Sequence, residues 1–198
     1  MLELARERAA TLGLGNARFV ETEAETLAVE ELGFHAAICR WGLMFVPDLD
    51  AVARRIARLL VRGGRFATAV WGPAERVPMI SVGDDVVREL ANLPPPQADA
   101  PHPLKLADPR PLERALGSAE FKKIHVEPII VQFEFESAKA YTEQRQAMSA
   151  PFRALLSKQT PDMRQRLLDA VPAAASKYAD HSGIVRMSNE AICIAAHL

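Results

Sequence analysis

Two runs decide the fold: Phe34-His35-Ala36-Ala37-Ile38-Cys39-Arg40-Trp41 and Arg65-Phe66-Ala67-Thr68-Ala69-Val70-Trp71. The first is apolar on both faces, as a parallel strand buried between helices requires. Between them, residues 48–60 set Leu49, Val52, Ile56, Leu59 and Leu60 on one helical stripe, with acidic residues opening the segment and arginines closing it. Gly63-Gly64 then stop the helix in the turn before the second strand. Residues 34–71 thus read as a strand-helix-strand unit with a right-handed crossover, and the chain as α/β.

Upstream, Leu2, Ala5, Ala9 and Leu12 form a helical stripe that Gly13 ends. No Ser, Thr, Asp or Asn precedes it to cap the first amides, so an upstream segment is expected. Ala17-Arg18-Phe19-Val20-Glu21 reads as a short strand, followed by a polar stretch to Gly33. Downstream, residues 80–93 read as a helix, and Pro94 to Pro103 as a proline-rich loop that no regular element accommodates. Asp108-Pro109 opens a helix that Gly117 closes. Residues 121–135 are extended, with Ile129, Val131, Phe133 and Phe135 alternating against Gln132, Glu134 and Glu136. Ser137 and Thr160-Pro161 start two more helical stretches, the second kinked or ended by Pro172, and residues 191–196 form a terminal core strand.

The chain has 198 residues, 49% apolar, with a formal net charge of -1. That suits one core and excludes a strongly basic nucleic-acid or membrane-surface binder. Arg54, Arg55, Arg58 and Arg62 read as a solvated helix face. No apolar run approaches a membrane span, Glu3 and Glu7 occupy positions a signal peptide leaves uncharged, and a cytoplasmic protein is expected. The two cysteines, Cys39 and Cys193, read as reduced core thiols, and the five histidines show no metal or triad spacing.

Four segments in order, Met1-Leu2-Glu3-Leu4-Ala5-Arg6, Phe19-Val20-Glu21-Thr22-Glu23-Ala24-Glu25, Cys39-Arg40-Trp41-Gly42-Leu43-Met44-Phe45 and Leu60-Val61-Arg62-Gly63-Gly64-Arg65-Phe66, carry a resemblance to a known family. The chain resembles the class I S-adenosylmethionine-dependent methyltransferases of the ubiquinone-biosynthesis and small-molecule group. The resemblance implies a Rossmann-like methyltransferase sheet with antiparallel C-terminal strands and a helical cap, binding S-adenosylmethionine and methylating a small-molecule acceptor. It places Glu23, Ala24 and Glu25 at the adenine and the backbone of Cys39 and Arg40 beneath the methionine portion, with Trp41 and Met44 lining the pocket. On residue type alone, Glu23 and Glu25 read as solvated loop carboxylates, and Cys39 and Met44 equally as core. Arg40 directly follows a buried strand and belongs at a cleft mouth or in a pair. No catalytic base is identified, and Asp84-Asp85 read as helix-start charges. His35 departs from the family, where an Asp is usual.

The family's glycine-rich turn and the acid after its second strand have no counterpart here; Gly13-Leu14-Gly15 follows a helix. The resemblance therefore implies a sheet without its first two strands, with family order three-two-one-four-five-seven-six. The strand ending at Trp41 then presents an apolar edge that pairs in a homodimer, re-pairs with residues 17–21, or leaves the fold poorly stable. One domain, 1–198, is expected, with core segments 1–76, 118–136 and 185–198 and cap segments 77–117 and 137–184. The competing functional reading is a non-catalytic, partner-binding remnant of such an enzyme.

Overall fold

The computed structural model describes residues 1–27, 29, 33–94 and 100–198. Part of the polar stretch before Gly33, and Pro95 and Pro96 of the proline-rich loop, lie outside the described residues. Strands β1 (Phe34–Arg40), β2 (Leu60–Trp71), β3 (Lys122–Phe135) and β4 (Val185–His197) form one sheet in the order β1-β2-β4-β3. β1 and β2 run parallel, while β2–β4 and β4–β3 are antiparallel. In the family's order this is four-five-seven-six, the Rossmann-like arrangement expected.

Helix α2 (Leu49–Leu59) makes the crossover between β1 and β2. Asp48 caps it by accepting from the Ala51 amide at 2.9 Å. Its stripe buries Val52, Ala53, Ile56 and Leu59, and each large side chain so buried contributes about 1.5–3 kcal/mol. The helix ends before the glycine pair, however, and Leu60 already belongs to β2. Gly63 and Gly64 serve an irregularity inside the strand. Phe34 pairs Leu60 and Ala36 pairs Arg65, so extra residues bulge on β2. Gly63 takes φ +77°, and a Cβ on Gly64 would lie 2.8 Å from the Val61 carbonyl oxygen. The same bend ties down the end of β4, through Gly63 N–H to Leu198 O and Leu198 N–H to Gly64 O.

Residues 17–21 form no strand. The expected re-pairing with β1 is therefore absent, and β1 is an edge strand. Its burial also departs from the expectation of cover on both faces: Ile38 is 82% exposed. Ile38, Ala67 and Ala195 lie in register across three strands on the open face. The opposite face carries the main core, where Phe66, Val70, Ile194 and Ala196 pack with α2 and with Leu112, Ala115 and Leu116 of α4 (Arg110–Ser118). α4 ends at Ser118 rather than at Gly117, and the left-handed residue beyond it is Glu120.

A second apolar cluster lies beyond the sheet's far end. It joins α3 (Pro78–Leu90), α5 (Ala138–Met148), α6 (Ala150–Ser157) and α7 (Pro161–Ala175) to the β3–β4 hairpin. Val126 and Ile194 face the first cluster, Phe135, Val185 and Met187 the second, so the twisted hairpin serves two cores. Ile129 falls at the change of face and is 40% exposed, which breaks the expected alternation. Ser137 and Thr160 cap α5 and α7 as anticipated. Ser149 caps an additional helix, α6, by accepting from the Phe152 amide. α7 continues through Pro172 to Ala175.

Helix α1 (Leu2–Thr11) starts from Met1 without a side-chain cap, turns at Gly13 (φ +67°) and buries Ala9 alone. Among the described residues, no helix is long and apolar enough to cross a membrane.

Candidate functional site

Parallel strands of an open sheet present ligand sites at their carboxyl ends, and β1 ends in an unusual turn. The Trp41 amide still donates to Ala69 O at 2.8 Å, but Trp41 takes φ +53°, a strained value for a bulky residue. That twist lays its ring on Trp71, with centroids 4.4 Å apart and planes within 10°. Arg40 is the last residue of β1 and is exposed, and its guanidinium lies 5.1 Å from the Trp41 ring centroid. The indole Nε1 of Trp41 is buried without a hydrogen-bond partner among the described residues. Trp71 is 5% exposed and packs also near Phe133.

Cys39 is half-buried, and a Cβ on Gly42 would come within 2.9 Å of its sulfur, so the turn closes over the thiol. Burial pushes the Cys39 thiol up, against the lowering by the Gly42 and Leu43 amides. It is a neutral wall, not a nucleophile. Met44 is fully buried in the main core, whereas the next residue, Phe45, turns outward.

Glu23, Ala24 and Glu25 lie on a turn in which the Leu27 amide and Thr26 Oγ1 both donate to Glu23 O. Arg55 of α2, expected to be merely solvated, anchors the turn through Nε and a terminal nitrogen to Leu27 O at 3.2 and 2.9 Å. Ala24 packs on the cluster that also holds Cys39, Trp41 and Met44. The two groups of residues thus border one apolar body. Glu23 is exposed, while Glu25 Oε1 is buried without a partner among the described residues. An unpartnered acceptor on that turn and an unpartnered donor on Trp41 fit a ligand with an exocyclic amino group and polar atoms near its apolar face, as S-adenosylmethionine has.

Beyond Phe45 lies a cavity of about 260 Å³ that sequence reasoning missed. Phe45, Val87, Leu93 and Phe152 supply apolar walls, with Asp84, His102 and Arg145 as polar groups. Arg145 of α5 donates to Asp84 Oδ1 at 2.5 Å, and His102 Nε2 stands 3.6 Å from Asp84 Oδ2. His102 Nδ1 accepts from the Leu104 amide at 3.1 Å. The three come from α3, the end of the proline-rich loop and α5. No spacing in the sequence brings them together, and the only hint was the acidic pair at Asp84-Asp85.

The cavity wall is anchored at Met79 in the first turn of α3. Its amide donates to Asn189 Oδ1 at 2.8 Å, and its carbonyl accepts from Tyr141 Oη at 3.1 Å. Burial holds the Tyr141 phenol up at about 12, so it stays a neutral donor. Gly83 packs closely beside it: a Cβ there would lie 3.2 Å from Arg145 Nε and 3.4 Å from Tyr141 Oη, so a larger residue would push on Arg145. Among the described residues, no group of three or more His, Cys, Asp or Glu is arranged to hold a metal.

Comparison with known proteins agrees with this architecture. Residues 1–64 match the family described as methyltransferase domain. The ubiquinone/menaquinone biosynthesis C-methyltransferase UbiE of Brucella anthropi is 42% identical over 76 residues, which are 38% of this chain and 29% of that protein. The Brucella canis counterpart is 36% identical over 86 residues, covering 43% and 32%. The chain spans about a third of the length of the curated relatives it matches. Among solved structures, a putative methyltransferase from Bacillus halodurans superposes with TM-score 0.55 at 16% identity, over 99% of this chain and 78% of the other. The YcgJ protein from Bacillus subtilis gives 0.53 at 19%, over 100% and 77%. A Haemonchus contortus phosphoethanolamine N-methyltransferase 2, bound to phosphomonomethylethanolamine and S-adenosylhomocysteine, gives 0.54 at 18%, over 100% and 41%.

The fold is that of the Rossmann-like methyltransferases, and the sequence match to a methyltransferase domain lies in residues 1–64. The two relatives named are ubiquinone/menaquinone biosynthesis C-methyltransferases, each matched over less than half of this chain.

Proposed function

We propose that this chain serves methyl transfer from S-adenosylmethionine to a small-molecule acceptor, with the acceptor in the cavity beyond Phe45. The observation that carries the reading is the single turn after β1. It places Trp41 at the end of the parallel strand and Phe45 in the cavity wall, so a cofactor at the strand end and an acceptor in the cavity are neighbours.

S-adenosylmethionine supplies the activated methyl group, so the protein's task is to bind, orient and exclude water. Glu23, Ala24 and Glu25 would hold the adenine edge. The backbone of Cys39 and Arg40, with Trp41 and Met44, would form the wall beneath the methionine portion. Segments 77–117 and 137–184 act as the cap of a single domain whose core is 1–76, 118–136 and 185–198. The protein works in the cytoplasm without nucleic acid.

Titration calorimetry with S-adenosylhomocysteine tests this reading. Without a glycine-rich turn among the described residues, the expected Kd is weak, on the order of 1 mM. Trp41→Ala and Glu25→Gln weaken it further. Absence of binding at ten times that concentration, or binding indifferent to both substitutions, would overturn the assignment.

The exposed edge of β1 favours a second reading, in which the chain is a non-catalytic partner of itself: Ile38 and Phe34, 82% and 41% exposed, would pair β1 with a second copy.

A further inference from the structure

We infer that the cavity between α3, α5 and the loop at His102 takes a compact monocarboxylate with an apolar body, its carboxylate held by Arg88 and Arg145 and its body against Phe45. This rests on the reading of the cavity as the acceptor site, and it names the class of acceptor.

The charge of the lining sets the sign of the ligand. Arg88 and Arg145 both line the cavity, and among the described lining residues Asp84 alone carries a carboxylate. Two guanidiniums against one carboxylate leave a positive charge in excess. His102 can add to that excess but not reduce it. An anion restores neutrality, whereas a cation of the same shape is repelled and a neutral molecule leaves the excess uncompensated beside apolar walls.

Hydrogen-bond accounting points the same way. Asp84 Oδ1 already accepts from Arg145 at 2.5 Å. The guanidiniums are less well matched. Arg145 is 12% exposed, and its Nε is buried without an acceptor among the described residues, so the group has more donors than partners. Arg88 meets Asp85 at 3.3 Å, a pair across one helical turn whose carboxylate is 66% exposed and lies outside the lining. Such a surface pair is weak, and Arg88 can turn from it to a ligand. Ser149 Oγ accepts from the Phe152 amide at 3.2 Å, which leaves its hydroxyl proton for an acceptor in the same wall.

A carboxylate suits these donors better than a phosphate ester. A single negative charge neutralises the lining, and two coplanar oxygens match the fork of a guanidinium. A dianion would overshoot and set extra charge against Asp84. The cavity, at about 260 Å³, lies below the about 300 Å³ at which ordinary small-molecule sites begin, so the body is compact. Phe45, Val87, Leu93 and Phe152 make the remaining walls apolar. Phe45 belongs to the turn after β1, so the body rather than the carboxylate lies toward the strand end.

Four fluorescent probes of one skeleton test the inference on the whole chain without cofactor: 2-naphthoate, 2-naphthol, 2-naphthylmethylammonium and 2-naphthyl phosphate. Charge-assisted hydrogen bonds should give 2-naphthoate at least about a tenfold tighter Kd than the alcohol or the ammonium, and a tighter Kd than the phosphate. In Arg88→Gln the preference over 2-naphthol should fall below about threefold. Asp84→Asn, which takes the carboxylate out of the lining, should tighten 2-naphthoate binding by at least about threefold, a gain that loss of folding cannot imitate. Arg88→Gln disturbs only a surface pair, so it decides the matter even if Asp84→Asn does not fold.

Any other probe binding as tightly as 2-naphthoate, no binding of 2-naphthoate, a preference unchanged in Arg88→Gln, or weaker 2-naphthoate binding by Asp84→Asn with an unaltered near-UV circular dichroism spectrum would overturn the inference. The readout needs no S-adenosylmethionine. A 2-naphthoate preference without S-adenosylhomocysteine binding would leave the pocket chemistry standing and remove the methyl-transfer reading, and cofactor binding without that preference would do the reverse.

Discussion

The N-terminal stretch up to Leu27 and the helical cap are opposites. The first lies inside the family match, yet α1 buries only Ala9, and Leu4 and Leu12 are left 70% and 62% exposed. The cap lies outside that match, yet Leu167, Val171 and Ala175 of α7 are completely buried, and its polar groups close on one another around Met79. Family likeness is therefore no guide to where this chain is stabilised. A helix held by local hydrogen bonds on the surface, as α1 is, buries little, whereas the helices of the second cluster must bury their apolar stripes to be stable.

The sharpest way to break this comparison is a pair of truncations. Leu167→Ala leaves a cavity in the second cluster and should cost about 2–5 kcal/mol. Leu4→Ala, on the exposed face of α1, should stay within about 0.5 kcal/mol. Urea midpoints for both variants measure the contrast. Equal losses would mean that α1 is packed as firmly as the cap.

A smaller effect is expected at the sheet edge, between the two regions. Ile38→Lys places a charge on the open flank of β1 and should convert a self-paired dimer into a monomer, with unfolding free energy per chain changed by no more than about 1 kcal/mol. Light scattering coupled to size exclusion decides it. A wild-type monomer would remove the edge-pairing reading.

Much of the architecture was legible because its signals are local. The 34–71 unit, the caps at Asp48, Ser137 and Thr160, and the terminal strand each announce themselves within a few residues. The misreadings share a different cause. Phe19-Val20 has strand propensity, but a strand also needs a neighbour, and none pairs with it among the described residues. Gly63-Gly64 carries a turn pattern that suits a helix stop and a strand bulge equally, and the Leu198 contact distinguishes them. At the candidate site, Cys39, Arg40 and Trp41 were legible as a strand end, but not the left-handed turn that stacks Trp41 on Trp71. Asp84, His102 and Arg145 were illegible, because only the packing of α3 against α5 and the docking of Leu104 and Leu106 bring them to one cavity.

The smallest effect sharpens the cap side of the comparison, at the turn that leads into β4. Asp180 accepts from Ser182 Oγ at 2.6 Å and from the Ser182 amide at 2.8 Å, and pairs with Arg186. The Ser182 hydroxyl first, then its amide and Arg186, hold the Asp180 carboxyl at about 2, below its ordinary 3.8. A carboxyl depressed on folding adds stability that is complete above its unfolded value and disappears as pH falls through the folded one. The contribution of Asp180 should therefore be full at pH 5 and decline between about pH 4 and pH 2. Asp180→Asn should melt below wild type at pH 5, and the difference should shrink as pH falls through that window. Because the group is exposed, the gap will be small and reduced by salt. A gap that stays constant from pH 5 to pH 2 would show that the substitution disturbs the shape of the turn and that the charge of Asp180 contributes nothing.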